Sequence, residues 1–289
     1  MIYTGDALTI LKTLESESVN CVITSPPYWA MRDYLVEGQL GREDTFEEYI
    51  ETLCCVFDEV KRVLRKDGTC FVNLGDVYGG TGSKKECRDP KYKDGRNGQT
   101  VALNQKYQSK CLLQIPSRFA IAMCERGWIL RNECIWHKPN AMPSPIKDRF
   151  SVDYEKIFFF VKSKKYAFEQ QYSSGKYKRG TGSDASRGDD ADGLVVGGGA
   201  EGRNMRTVWS IPTKPFNSAH VATFPEALVE PMLLAGCPIG GIVLDPFAGA
   251  GTVGVVAKKL RREFVGIELN KEYVIMANER ISNTQAPML

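Results

Sequence analysis

Two rhythms of apolar residues alternate along this chain. The first is the short continuous run: Val19-Asn20-Cys21-Val22-Ile23-Thr24, then 69–74, 129–136, 155–162 with its Phe158-Phe159-Phe160-Val161 centre, 242–245 and 264–268. Runs of this length, β-branched or aromatic and bounded by Gly, Pro or Asp, predict strands buried on both faces of a parallel sheet. The second rhythm is helical: Phe46, Tyr49, Ile50, Leu53, Val56, Phe57, Val60, Val63 and Leu64 recur at three and four spacing. Thr45 and Glu48 form a capping box that starts this helix, and Gly68 is expected to follow its basic end. Further helices are predicted over 7–14, 116–126, 225–234, 253–260 and 272–281, with a short strand over 2–4. Strands joined by helices indicate an α/β protein built from βαβ units.

Two stretches break the pattern. Residues 79–110 and 175–206 have no periodicity and are rich in Gly and charge, and loops of that length in a compact domain are functional or disordered. The net charge of +3 says little; its distribution says more. Between 79 and 118 there are nine Lys/Arg against three Asp/Glu, interleaved with Tyr92 and Tyr107. Such a stretch fits a phosphate backbone, with Lys84, Lys85 and Lys91 as candidate contacts, and it equally fits a solvated loop. At 289 residues the chain suits one large α/β domain with an elaboration, or two small domains. It has no apolar run long enough to span a bilayer, and its first residues carry neither a basic segment nor a signal-like core, so a cytoplasmic location is expected. The nine cysteines are odd in number, contain no Cys-x-x-Cys pair and lie mostly in apolar stretches (Cys21, Cys70, Cys111, Cys124, Cys134), which reads as reduced core residues. With His137 and His220 as the only histidines, no metal site is expected.

Candidate chemistry sits at two strand ends. After Thr24 comes Ser25-Pro26-Pro27-Tyr28-Trp29. Each Pro fixes its φ and removes an N–H, and the residue before a Pro is held extended, so the Ser25 hydroxyl and the Pro26 carbonyl form a stiff rim of acceptors. Tyr28 adds an aromatic face. The combination suits a planar guest bearing an amine, such as a nucleobase; Trp29 fits either that role or the core. The second end is Asp245-Pro246-Phe247-Ala248-Gly249-Ala250-Gly251-Thr252, followed by a helix and a strand ending in Glu268. Strand, small-residue loop, helix and a second strand ending in an acid is the layout of a nucleotide-binding unit, whose acid accepts from the ribose hydroxyls. The third glycine of the dinucleotide fingerprint and the Gly-Lys-Ser/Thr of a phosphate loop are both missing. Asp245 would repel a pyrophosphate and favours a ligand with positive charge, such as an adenosine carrying a sulfonium.

In an ordinary nucleotide-binding fold the Gly-rich unit opens the domain, whereas here it closes the chain. If the strand at 2–4 follows the last helix in space, the sheet is a circular permutation. Asp6 then ends the third strand near an adenine ring, and the Pro-Pro loop ends the fourth.

The two loops in this order, with Asn73-Leu74-Gly75-Asp76, Ile135-Trp136-His137-Lys138-Pro139-Asn140, Asp148-Arg149-Phe150 and Ala219-His220-Val221-Ala222-Thr223-Phe224-Pro225, resemble the β-group amino-methylating DNA methyltransferases of restriction-modification systems. The resemblance covers nearly the whole chain outside the two Gly-rich stretches. It implies a permuted Rossmann-like sheet and S-adenosylmethionine held by Asp245, Phe247, Gly249, Gly251 and Thr252. It further implies Glu268 on the ribose, Asp6 near the adenine, and the segment with His220, Phe224 and Pro225 against the cofactor. Ser25, Pro26 and Tyr28 would form the catalytic loop. A Ser in place of the family's Asp or Asn is associated chiefly with N4-cytosine methylation; N6-adenine methylation, an RNA substrate and a DNA-binding module without catalysis are the alternatives. The implied partners are duplex DNA, approached by Lys138 and the basic loop, and a restriction endonuclease acting on the same site, with the enzyme a monomer or homodimer. Residues 1–162 would be the catalytic half, 163–206 the target-recognition segment and 207–289 the cofactor half of one domain. Asp153-Tyr154-Glu155, where the family often has His before Glu, has no role assigned.

Overall fold

The computed structural model describes residues 1–31, 36–80, 106–173, 203–214 and 224–285. Its elements are β1 (Ile2–Thr4), α1 (Ala7–Leu11), β2 (Val19–Thr24), α2 (Phe46–Val63), β3 (Leu64–Leu74), α3 (Ile115–Glu125), β4 (Ile129–His137), β5 (Tyr154–Val161), β6 (Tyr172–Ser173), β7 (Arg203–Asn204), β8 (Val208–Ser210), α4 (Glu226–Gly236), β9 (Ile242–Asp245), α5 (Thr252–Lys259), β10 (Glu263–Glu268) and α6 (Lys271–Asn283).

Eight strands form one sheet in the order β1-β10-β9-β2-β3-β5-β4-β8. β1, β10, β9, β2 and β3 are mutually parallel. Counted from β9, their spatial order is that of a doubly wound nucleotide-binding sheet, with the chain start falling in its middle. The permutation expected from the sequence is therefore present. Met1 donates its amino group to the Phe264 carbonyl at 2.8 Å, and α6 packs on β1. The point where the strand order reverses lies between β9 and β2, where a doubly wound sheet opens its ligand crevice.

Alternation along the buried strands explains their continuous apolar runs. Cys70, Val72, Phe158 and Phe160 face the layer of α1, α2 and α3, while Ile23, Phe71, Ile157, Phe159 and Val161 face α4 and α5. The capping box of α2 is formed as expected, with Thr45 and Glu48 exchanging hydrogen bonds. Gly236 lets α4 approach β3 closely: the Thr69 hydroxyl donates to its carbonyl at 2.9 Å, and an added Cβ would lie 2.3 Å from Thr69 Oγ1 and 2.7 Å from Phe71. Overpacking a filled core costs about 1–3 kcal/mol. Gly236→Ala should lower the urea midpoint correspondingly with an unchanged slope; an unmoved midpoint would contradict this close approach.

Several expectations are corrected. α1 ends at Leu11 rather than 14. α2 passes straight into β3 through an extended Leu64, with no glycine cap, and the register slips between Val19↔Leu64 and Cys21↔Thr69 to absorb the residues before Gly68. β5 is antiparallel to both β3 and β4, so the sheet is not parallel throughout. Cys111 and Cys124 are exposed rather than core residues; Cys21, Cys54, Cys70, Cys134 and Cys237 are buried and free, as expected. Tyr107 is a packing residue, its ring against Trp29 and Phe46 and its hydroxyl donating to Glu47. Most of the basic loop, at 81–105, and most of the proposed recognition segment, at 174–202, lie outside the described residues. No helix among the described residues is long and apolar enough to cross a membrane.

Candidate active site

β2 and β9 lie side by side and deliver their two loops to the same edge of the sheet. The loops are tied at their roots. Thr24 Oγ1 donates to Asp245 Oδ1 at 2.6 Å, and the same oxygen accepts from the Phe247 N–H at 3.0 Å. Asp245 is 2% exposed. Burial pushes its carboxyl up to about 7 despite these two hydrogen bonds, so the site holds a carboxylate short of positive charge.

Beyond Asp245 the chain makes the tight turn that needs small residues. Gly249 and Gly251 have φ of 49° and 74°, left-handed values that a side chain would strain. Gly251 also caps α5 against α6, where an added Cβ would lie 2.8 Å from the Ala277 Cβ. The turn is held by the end of β10: Glu268 accepts from the Gly249 N–H through Oε2 and from the Asn270 N–H through Oε1, both at 2.8 Å. Each oxygen keeps a further lone pair for a ligand hydroxyl. Burial raises the Glu268 pKa.

The Pro-Pro loop is braced from behind. The Tyr49 hydroxyl of α2 donates to the Pro27 carbonyl at 2.8 Å, and Trp29 is buried, its indole donating to the Glu43 carbonyl at 3.0 Å. Trp29 thus takes the core role of its two readings. The Tyr28 ring lies against Gly75, where a Cβ would come within 2.5 Å of it.

Two chambers meet across this edge. The larger, about 300 Å³, is walled by Ser25, Pro26, Tyr28 and Asn73 on one side and by Asp245, Gly249 and Thr252 on the other, with Phe224 at its margin. The smaller, about 110 Å³, is walled by Asp6, Glu268, Asn270 and Tyr273. They share Ser25, Phe247 and Gly249. Pro225 is the N-cap of α4, next to Phe224. Asp6 caps α1, accepting from the Thr9 N–H and hydroxyl, and is exposed to the smaller chamber. His220, Lys84, Lys85 and Lys91 lie outside the described residues.

Lys138 is placed differently from the expectation of a backbone contact. It lines the larger chamber, pairs with Glu155 and lies 4.4 Å from the Trp136 ring centre. Glu155 and Asn73, to which the sequence reading gave no role, both reach the catalytic loop: the Tyr28 hydroxyl is 2.8 Å from Glu155 Oε2 and 3.2 Å from Asn73 Oδ1. The reversed β5 explains the omission. Being antiparallel, it starts at the edge where β3 ends, with Lys156 opposite Leu74 and Glu155 opposite Trp136, so the chain brings an acid to the crevice from a strand's beginning.

The chambers fit S-adenosylmethionine: a sheltered pocket with an acid on each side for an adenosine, and a buried carboxylate beside it for the cationic part. A permuted doubly wound sheet with this crevice defines an S-adenosylmethionine-dependent methyltransferase. The chain belongs to the DNA methylase family of N6 and N4 methyltransferases, whose model matches residues 19–279. It is 42% identical to the type II methyltransferase M.XycI of Xanthomonas campestris pv. cyanopsidis over 290 aligned residues, covering 100% of this chain and 89% of that protein. Among solved structures, the PvuII DNA methyltransferase (cytosine-N4-specific) superimposes with a TM-score of 0.69 at 20% identity, covering 99% of this chain and 87% of that one. The DNA modification methylase TTHA0409 of Thermus thermophilus, complexed with S-adenosyl-L-methionine, gives 0.61 at 24% identity, covering 98% and 95%. The protein is an amino-methyltransferase of the restriction-modification type, its substrate is DNA and its methyl donor is S-adenosylmethionine.

Proposed function

We propose that the protein methylates the exocyclic N4 amine of a cytosine flipped out of duplex DNA at a specific sequence. The observation that carries this reading is a neutral Ser25 beside Pro26 at the junction of the two chambers, where a carboxylate or amide stands in other members of the resembling group. S-adenosylmethionine supplies a methyl group activated by its sulfonium. The chain's task is to prepare the nitrogen: its lone pair is conjugated with the ring, and two acceptors, Ser25 Oγ and the Pro26 carbonyl, each taking one amino hydrogen, favour a tetrahedral nitrogen with the lone pair free. Tyr28 supplies a stacking face, and the depth of the crevice requires the base to leave the helix.

Glu268 and Asp6 take the adenosine, and Asp245, Phe247, Gly249, Gly251, Thr252, Phe224 and Pro225 surround the rest of the cofactor, with His220 on the segment leading to Phe224. Lys84, Lys85 and Lys91 contact the DNA backbone, and 163–206 reads the sequence. A restriction endonuclease with the same site is the expected partner, and the cytoplasm, where the DNA is, the expected location.

Asp245 gives this reading a pH signature. Only its ionised form attracts a cation, so S-adenosylmethionine affinity should rise with pH up to about 7 and level off above it, by as much as about tenfold per pH unit on the rising limb. In the ligand-free protein the sign is opposite: a carboxyl raised above its unfolded value of about 3.9 loses stability as pH climbs towards 7. Cofactor titration at pH 6 and 8 should show the rise in the wild type and none in Asp245→Asn; parallel curves would remove Asp245 from the cofactor.

The reading is tested by incubating the protein with labelled S-adenosylmethionine and mixed-sequence DNA, then identifying the labelled nucleoside and its sequence context. N4-methylcytosine is expected. N6-methyladenine would overturn the choice of base, and label in RNA alone the choice of nucleic acid.

A further inference from the structure

A hydroxyl carries one hydrogen and two acceptor lone pairs, so Ser25 can receive an amino hydrogen reliably only if its own hydrogen is directed elsewhere. Its neighbour on that side is the Tyr28 hydroxyl, 3.3 Å away. Tyr28 in turn faces Glu155 Oε2 at 2.8 Å and Asn73 Oδ1 at 3.2 Å. Both are acceptors. Glu155 is ion-paired with Lys138, and the Asn73 amide is oriented by its Nδ2 donating to the Lys156 carbonyl at 3.2 Å, which leaves Oδ1 for Tyr28. The single hydrogen of Tyr28 is therefore committed to these two groups, and the tyrosine can meet Ser25 only by accepting. Burial, reinforced by the charge of Glu155, holds the Tyr28 pKa well above its ordinary value, so that hydrogen stays in place.

We propose that Tyr28, Glu155 and Asn73 fix the hydrogen-bond polarity of Ser25, making it an obligate acceptor so that the crevice admits a base presenting an amine and rejects the same base presenting a carbonyl. This rests on Ser25 meeting the target amine as set out above. A keto oxygen in the same position would face the lone pairs of Ser25 and Pro26 with no hydrogen between them. A site built to bond a donor group discriminates strongly against an analogue that lacks it, because its own polar groups are left unpaired. Tyr28 contributes its hydroxyl here in addition to its ring, and Glu155 and Asn73 are positioning residues that act through it.

The test compares binding of duplexes carrying cytosine or uracil at the target position, each opposite an abasic site so that neither base has to be unpaired. The wild type should prefer cytosine by at least about tenfold, the worth of one well-made hydrogen bond. Tyr28→Phe keeps the ring but frees the Ser25 hydrogen to turn into the crevice, and the ratio should fall towards one. Glu155→Gln should lower it less, because Asn73 still accepts, and Glu155→Gln with Asn73→Leu should match Tyr28→Phe. A thermal melt establishes that each variant folds. An unchanged ratio in Tyr28→Phe, even with weaker binding of both duplexes, would overturn the proposal, as would a wild type with no preference. If product analysis instead identifies the target as adenine, the same comparison is made with adenine and hypoxanthine, so the choice of base can fail while the polarity relay stands or falls separately.

Discussion

Ser25→Ala should bind S-adenosylmethionine with near wild-type affinity and transfer methyl groups about 10²- to 10³-fold more slowly, a loss of ~2.7–4 kcal/mol of the kind seen when one aligned polar group leaves a preorganised site. The separation of binding from chemistry follows from the fold. Asp245, Glu268 and the glycine turn hang from β9 and β10, and the hydrogen bonds that hold that turn do not involve Ser25. Ser25 sits on the neighbouring loop, whose course is fixed by Pro26, by Pro27 bonded to Tyr49 and by the buried Trp29. Removing one hydroxyl leaves those anchors in place. Isothermal titration with the cofactor beside single-turnover transfer to DNA makes the measurement. Full turnover would remove Ser25 from the chemistry, and a parallel loss of cofactor binding and thermal stability would make it a structural turn residue instead.

Glu268→Ala should weaken S-adenosylmethionine binding by about 1–3 kcal/mol, the usual cost of leaving buried polar partners unmatched. Two effects act together here. The carboxylate is the acceptor proposed for the ribose hydroxyls, and it also accepts from the Gly249 and Asn270 N–H groups that shape the turn. Glu268→Gln separates them, because its amide has only one acceptor oxygen where the carboxylate has two, so it can satisfy one of these N–H groups and not both. The prediction is a loss in Gln smaller than in Ala, read by cofactor titration. An unchanged dissociation constant in both variants would place the ribose elsewhere.

The strand and helix pattern was legible because each element's local signal agrees with its place in the sheet. The capping box at Thr45, the stripe along α2 and the buried runs at β2, β3, β9 and β10 all appear as the periodicity predicts. The permutation was legible too, since it follows from the position of the Gly-rich unit at the end of the chain. Strand direction was not. β4 and β5 read as apolar runs whichever way they point, and with β5 assumed parallel Glu155 falls at the wrong end of its strand. Lys138 was misjudged for a related reason: a lysine after a strand reads as a surface cation, and only the antiparallel pairing of β4 with β5 brings it to Glu155. Exposure of Cys111 and Cys124 depends on which side of a short segment faces solvent, which an apolar neighbourhood in sequence does not determine. The direct, bulged entry into β3 arises because α2 ends within reach of β2, with Ser18 donating to the Val63 carbonyl at 2.9 Å, so no capping glycine is needed.

The central claim is that an exocyclic amine is presented to the methyl donor by Ser25 and Pro26. The most direct measurement is a crystal structure of the protein with a duplex containing its recognition sequence and a non-reactive analogue of S-adenosylmethionine. The expected result is an extrahelical cytosine with N4 at hydrogen-bonding distance, about 2.7–3.2 Å, from both Ser25 Oγ and the Pro26 carbonyl oxygen, and with the Tyr28 hydroxyl turned towards Glu155. A base whose amine instead meets the Glu155 carboxylate, with Ser25 out of reach, would contradict it.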